Sequence, residues 1–381
     1  MIQQFKKRKI PKMTTKRIFT ILMLGLLFWA CDTEGEEPAP QQDSFDRAAM
    51  LANWADNIII PAYQAYVSRL DDLTEAKNAF LTESSEANFS QLRDRWLDAY
   101  TAWQQVSMFE IGKAEQLTLR DYTNIFPTDA NKIESYLSGA DYKLELPSAR
   151  SQQGFPALDY LLFGSADTDA AVLARFNESE DMRAYLDQLV TRLNNLATQV
   201  LDDWENGYRN TFVSNSGSEA SSSVNKMLND YMFYYEKALR AGKVGIPAGV
   251  FSNTPLSDRV EALYAGNASK VLFETALDAT VDFFNGVHFD GSGSGAGLAD
   301  YLAFLNTISG GERLDAMINN QFDKAKSAAN PLPDNFFEVV ENDNLAMLQL
   351  YDELQANVVL MKVDMFQALN VKVDFVDADG D

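Results

Sequence analysis

The sequence predicts an all-α protein built as two packed helical bundles, an architecture that three observations support. Nearly every long segment repeats apolar residues at three- and four-residue steps, the period of an amphipathic helix. Alternating β-branched runs are scarce, apart from "VKVDFVD" at 371–377. A Ser/Gly-rich stretch, "SNSGSEASSS" at 214–223, divides the helical segments into two groups. Long amphipathic helices with short loops bury their stripes against one another, and roughly seven or eight of them make two four-helix bundles.

In chain order, 45–73 carries Leu51, Trp54, Ile58, Ala62 and Tyr66 on one stripe, with a bend expected at Pro61. Segment 88–112 aligns Leu92, Trp96, Tyr100, Trp103 and Val106, with Gly112 as its stop. Residues 120–150 are less regular and hold a short helix ending at Leu137. A single long helix is expected over 167–204, on Leu186, Leu189, Leu193, Leu196 and Val200. Beyond the 214–223 linker, 224–241 is helical and "GKVGIPAGVFSNTP" (242–255) is a loop. Another helix runs over 259–285, stopped by Gly286, and "GSGSGAG" (291–297) is a flexible connector. Segments 298–328 and 335–371 supply two or three further helices. The aromatic stripes Trp96/Tyr100/Trp103 and Tyr231/Tyr234/Tyr235 have helical spacing and are assigned to the core. The organisation is therefore 45–213 and 224–373 as the two bundles, with 374–381 as an acidic tail.

Composition narrows the function. A hydrophobic fraction of 46% and an aromatic fraction of 12% suit a large core. The formal charge of −23 disfavours nucleic-acid binding, which needs a basic footprint. Residues 1–30 nevertheless carry seven basic groups and no acid, so the remainder is at −30. "KMTTKR" precedes "IFTILMLGLLFWA", thirteen residues of mainly apolar character. That is short of the roughly 20 a membrane span needs and matches a secretion signal. Cys31, the only cysteine, follows directly. It resembles the lipidated Cys of a bacterial lipoprotein, with Phe28 where Leu is usual; a simple secretion signal or a membrane anchor is the alternative. Segment 31–44 reads as an acidic tether, which places the body outside the cytoplasm, lipid-anchored to a bacterial membrane at its periplasmic or surface face.

His288 is the only histidine, which excludes a His-rich metal site and an H-E-x-x-H zinc site. Carboxylates remain for chemistry, and they suit hard cations. The tail "DFVDADGD" reads as solvated acid, with weak cation binding as the alternative. The segment "GFPALDYLLFG" (154–164) places Pro156 and Asp159 inside an apolar run. Proline is tolerated in the first turn of a helix, so a helix is expected near Phe155. Asp159 then sits about four residues in, where the helix macrodipole favours an acid, or else lines a cleft.

Several segments in order resemble the imelysin family of bacterial envelope proteins. They are "RDRWLDAYTAWQQVSMFEIG" (93–112), "TNIFPTDANKIESYL" (123–137), "GFPALDYLLFG" (154–164), "KVGIPAG" (243–249) and "DRVEALYAGNA" (258–268). The resemblance implies two helical bundles and a role in iron or haem uptake, with an outer-membrane uptake receptor as partner. The family's G-x-H-x-x-E signature falls on 154–159. Gly154 is kept, Pro156 replaces the His, and Asp159 replaces the Glu. A His/Glu metal pair therefore cannot be carried over. Glu134 and Lys243 lie in other matching segments and are candidates to border the same cleft. The expected function is non-enzymatic binding of a ligand or partner between the bundles. A structural or adhesive surface lipoprotein is the main alternative, and an unusual peptidase a second one.

Overall fold

The computed structural model of the protein describes residues 44–306 and 308–375. The leader, Cys31, the tether up to residue 43 and the tail beyond 375 lie outside the described residues. Helix α1 (Arg47–Asn53) is capped by Asp46, whose carboxylate accepts from Ala49 N at 2.9 Å. A π-helical turn, Trp54–Ile59, carries it into α2 (Ile60–Thr82). Pro61 follows this π turn within a continuous helix, so the bend expected there takes the form of a widened turn just before the proline. Ser85 caps α3 (Glu86–Val106), which stops short of Gly112. Gly112 instead turns the chain, at φ +62°, into α4 (Lys113–Leu117). Helices α5 (Leu119–Thr123), α6 (Ala130–Leu137) and α7 (Gly154–Asp159) are short, and α7 runs on as a π turn, Tyr160–Gly164.

The single helix expected over 167–204 is two, α8 (Asp169–Glu178) and α9 (Glu180–Asp203). Ser179 between them is extended, and its hydroxyl accepts from Met182 N at 3.1 Å to cap α9. After α10 (Arg209–Ser214), turns over 215–222 lead into α11 (Ser223–Phe233), which continues as a π-helix, Tyr234–Gly245. Residues 242–245 are thus helical, not loop. The reverse correction applies to 259–268, which are turns and a short 3₁₀ element; α12 spans only Ser269–Phe284. After α13 (Leu298–Phe304), a minimal hairpin of β1 (Ile308–Ser309) and β2 (Glu312–Arg313) divides the helical segment expected over 298–328. Helices α14 (Leu314–Ala329), α15 (Phe336–Asn342), α16 (Asn344–Val358) and α17 (Phe366–Ala368) complete the chain, with a π segment, Val359–Met365, before the last. Residues 371–375 form no strand despite their β-branched alternation.

The protein is all-α, as the periodicity requires. One group of helices packs α2 along α3 and α9; another packs α16 along α14 and the 234–245 segment. Helix α12 lies against α3 and joins the groups, so that the described residues from Phe45 onward form one compact unit. Both aromatic stripes are core: Trp96, Tyr100, Trp103, Tyr231, Tyr234 and Tyr235 are all buried. Each large apolar side chain so buried contributes about 1.5–3 kcal/mol. No helix of the described residues is long and apolar enough to cross a membrane.

Candidate functional site

The 154–164 segment is held from several sides. Gly154 has φ +76°, and a Cβ there would lie 2.1 Å from the Thr123 carbonyl oxygen. Only glycine allows this close approach. Pro156 is the third residue of α7 and is buried. The Trp96 indole N–H donates to the Phe155 carbonyl at 3.3 Å, and the Phe155 ring stacks on Tyr100 at 4.5 Å. Asp159 is buried at the last position of α7, not in its first turn. Its two oxygens accept from Tyr264 N (3.0 Å) and Ala265 N (2.8 Å). Burial pushes its carboxyl up to about 7, and the two amides pull the other way. Asp159 is thus the anchor of the 257–265 loop rather than a complement to its own helix dipole.

That loop carries Glu261, which is 2% exposed and is the centre of a polar network. Its Oε1 accepts from Asn124 Nδ2 (2.7 Å), Tyr100 OH (3.0 Å) and Gln104 Nε2 (3.3 Å). Its Oε2 pairs with Lys243, whose ammonium also donates to Gln104 Oε1 at 2.9 Å. Burial lowers the Lys243 pKa, and Glu261 opposes that shift. Lys243 reaches the network because the 234–245 π-helix continues through it. The adjacent Ala262 is held at φ +54°, a conformation that costs a non-glycine residue roughly 1–3 kcal/mol.

Gln104, Asn124 and Lys243 also line a cavity of about 300 Å³. Trp103, Phe126, Phe233 and Tyr234 form its apolar wall, and Arg120 contributes a guanidinium. Arg120 is itself fixed by Glu110 (3.0 Å), Asp230 (2.9 Å) and the Ser107 carbonyl (2.9 Å). Burial works against the Arg120 charge, but Asp230 and Glu110 outweigh it and raise its pKa. Burial likewise lifts Glu110 to about 7, against the pull of Arg120. A second hollow of about 430 Å³ lies beyond Arg120, lined by Glu110, Asp230 and Phe375.

The predicted residues separate. Lys243 is in the network and Asp159 holds the loop that carries Glu261. Gly154 and Pro156 shape the backbone. Glu134 is elsewhere: it is paired with Arg175 at 2.8 Å and accepts from Tyr160 OH at 2.5 Å. Cys31 lies outside the described residues. Glu261, Gln104, Asn124 and Tyr100 were missed, although all four stand in segments that carry the family resemblance. A lone acid in the apolar run "VEALYA" was the available signal.

The donor set does not fit a resident metal. Both Asp159 oxygens are engaged by amides, and Pro156 offers no ligand atom. Among the described residues, no group of three or more His, Cys, Asp or Glu is placed to hold an ion.

Fold and network define an all-α protein whose polar interior joins distant segments beside a cavity. The Imelysin family profile matches residues 59–360, and the chain belongs to that family. Its fold is similar to a candidate iron-regulated protein A precursor from Parabacteroides distasonis, at 16% identity and a TM-score of 0.68, covering 85% of this chain and 96% of that one. It is also similar to an imelysin-like protein from Psychrobacter arcticum, at 17% identity and a TM-score of 0.66, covering 87% and 97%. Among curated proteins none matches.

Proposed function

We propose that this imelysin-family protein is a lipid-anchored envelope component of an iron- or haem-uptake system. It works by binding rather than catalysis and takes its ligand or partner at the cavity beside Glu261. The observation that carries this reading is convergence: Gln104, Asn124 and Lys243 reach one cavity from three separate segments. The similarity to a candidate iron-regulated protein supports the link to iron. The basic, apolar leader ending at Cys31 supports the anchor. An outer-membrane uptake receptor is the natural partner of such a protein. A binding role suits Glu261 and Lys243, which hold each other and leave neither as a free base or nucleophile.

Calorimetric titration with ferric citrate and with haemin tests the reading. One of them should bind, and Ala238→Trp, which fills the cavity from its half-buried wall, should abolish binding without unfolding the protein. Fatty-acid labelling should be lost in Cys31→Ser. If neither compound binds, the uptake role fails. The structural or adhesive alternative has one observation in its favour, the saturation of Asp159 by amides, and it leaves the cavity without a purpose.

A further inference from the structure

We infer that the cavity takes an uncharged, flat aromatic group of about two fused rings, borne by a small molecule or by one edge of a larger one; this rests on the reading of the cavity as a binding site. The charged side chains on its wall are Arg120, Asp121, Lys237, Lys243 and Arg259. Each is already paired within the protein. Glu110 and Asp230 hold Arg120, and Glu261 holds Lys243. Asp121 is taken by Arg150 at 2.9 Å, Lys237 by Glu236 at 3.2 Å and Arg259 by Asp258 at 3.5 Å. The amide side chains of Gln104 and Asn124 are spent on Glu261 and Lys243. An ionised ligand group would leave water and find no counter-charge still free, which works against binding.

What the wall leaves open is apolar. Ile125, Phe126, Phe233 and Ala238 line the cavity and are only half-buried, and Ile246 beside them is 39% exposed. Covering these side chains removes apolar surface from water, the main favourable term in such binding. Two of them are aromatic, and rings favour other rings as partners in offset or edge-on contact. Among the described residues the Phe126 ring meets no other ring, so a flat aromatic ligand gives it the partner that the fold does not. Size sets the limit. A dry apolar cavity of about 150 Å³ holds one benzene ring. The space of about 300 Å³ here admits about two fused rings, and a tetrapyrrole only by an edge.

Calorimetric titration of the purified protein with a matched set tests this: naphthalenemethanol, naphthoate and naphthylmethylamine, which are neutral, anionic and cationic at neutral pH. The neutral alcohol should bind roughly tenfold or more tightly than either charged compound. Ala238→Trp should abolish its binding. Phe126→Ala should weaken it roughly tenfold, through loss of a ring partner. Ile246→Ser should weaken it severalfold and leave the melting temperature close to that of the parent, because the position is exposed. Equally tight binding of a charged compound overturns the inference. So does alcohol binding that persists in Ala238→Trp, or that is undiminished in both Phe126→Ala and Ile246→Ser. If haemin or ferric citrate binds, is lost in Ala238→Trp, and naphthalenemethanol does not bind, the ligand class is wrong and the cavity remains a binding site. If no compound binds, both fall.

Discussion

Gly154 shows how one residue sets the backbone around the site. Its φ of +76° and the Thr123 carbonyl beside it leave no room for a side chain. Gly154→Ala should destabilise the protein by at least about 1–3 kcal/mol, the cost of one strained backbone conformation, before any overlap is counted. A urea unfolding midpoint that does not move would refute the close-approach account. The need for glycine was legible in the sequence because the position belongs to a recognisable motif. The role of Asp159, five residues later, was not. Its partners, Tyr264 N and Ala265 N, stand more than a hundred residues away, and no local spacing encodes them.

The element that departs most from its expected form is the 257–265 loop. Its residues have a helical apolar period, yet turns form instead. Asp159 claims the amides of Tyr264 and Ala265, Glu261 is drawn inward to four partners, and Ala262 takes a left-handed conformation. Tertiary hydrogen bonds thus outweigh a helix whose own carbonyls would have taken these amides from the buried Asp159 carboxylate. The 234–245 segment departs in the other direction, staying helical so that Lys243 faces Glu261. Lys243→Met would strand a buried carboxylate, and it should cost about 3–5 kcal/mol. The double variant Lys243→Met/Glu261→Gln should recover much of that loss in a double-mutant cycle of chemical denaturation. Independent, additive effects would show that the pair does not act as a unit.

At the scale of the whole molecule, burial makes stability depend on pH. Asp159 and Glu110 are both lifted to about 7, from ordinary values of 3.8 and 4.5. Between those limits the folded chain holds protons that the unfolded chain has released. Their contribution is therefore greatest below the unfolded values and declines as pH rises from about 4 to about 7. Glu134, lowered because Arg175 and Tyr160 together outweigh its burial, contributes above its ordinary value and loses that contribution in acid. Repulsion from the −23 net charge also grows as carboxylates ionise, so the difference between parent and variant is the readout. Asp159→Asn should flatten the fall in melting temperature between pH 4 and pH 7. Parallel curves for the two proteins would mean that Asp159 titrates outside that range.

Helical class, the two aromatic stripes and the exclusion of a zinc site built on two histidines were determined by the sequence alone, because each depends on local period or on composition. So was the loss of a ligand at Pro156. Only the tertiary structure decided that Asp159 is spent on a loop, that Glu134 belongs to Arg175, and that Glu261 is the centre of the network. The partners concerned are far apart in the chain: Gln104 and Lys243 are separated by 139 positions and Asn124 and Glu261 by 137. Periodicity shows which face of a helix is buried. It does not show which distant polar group waits there.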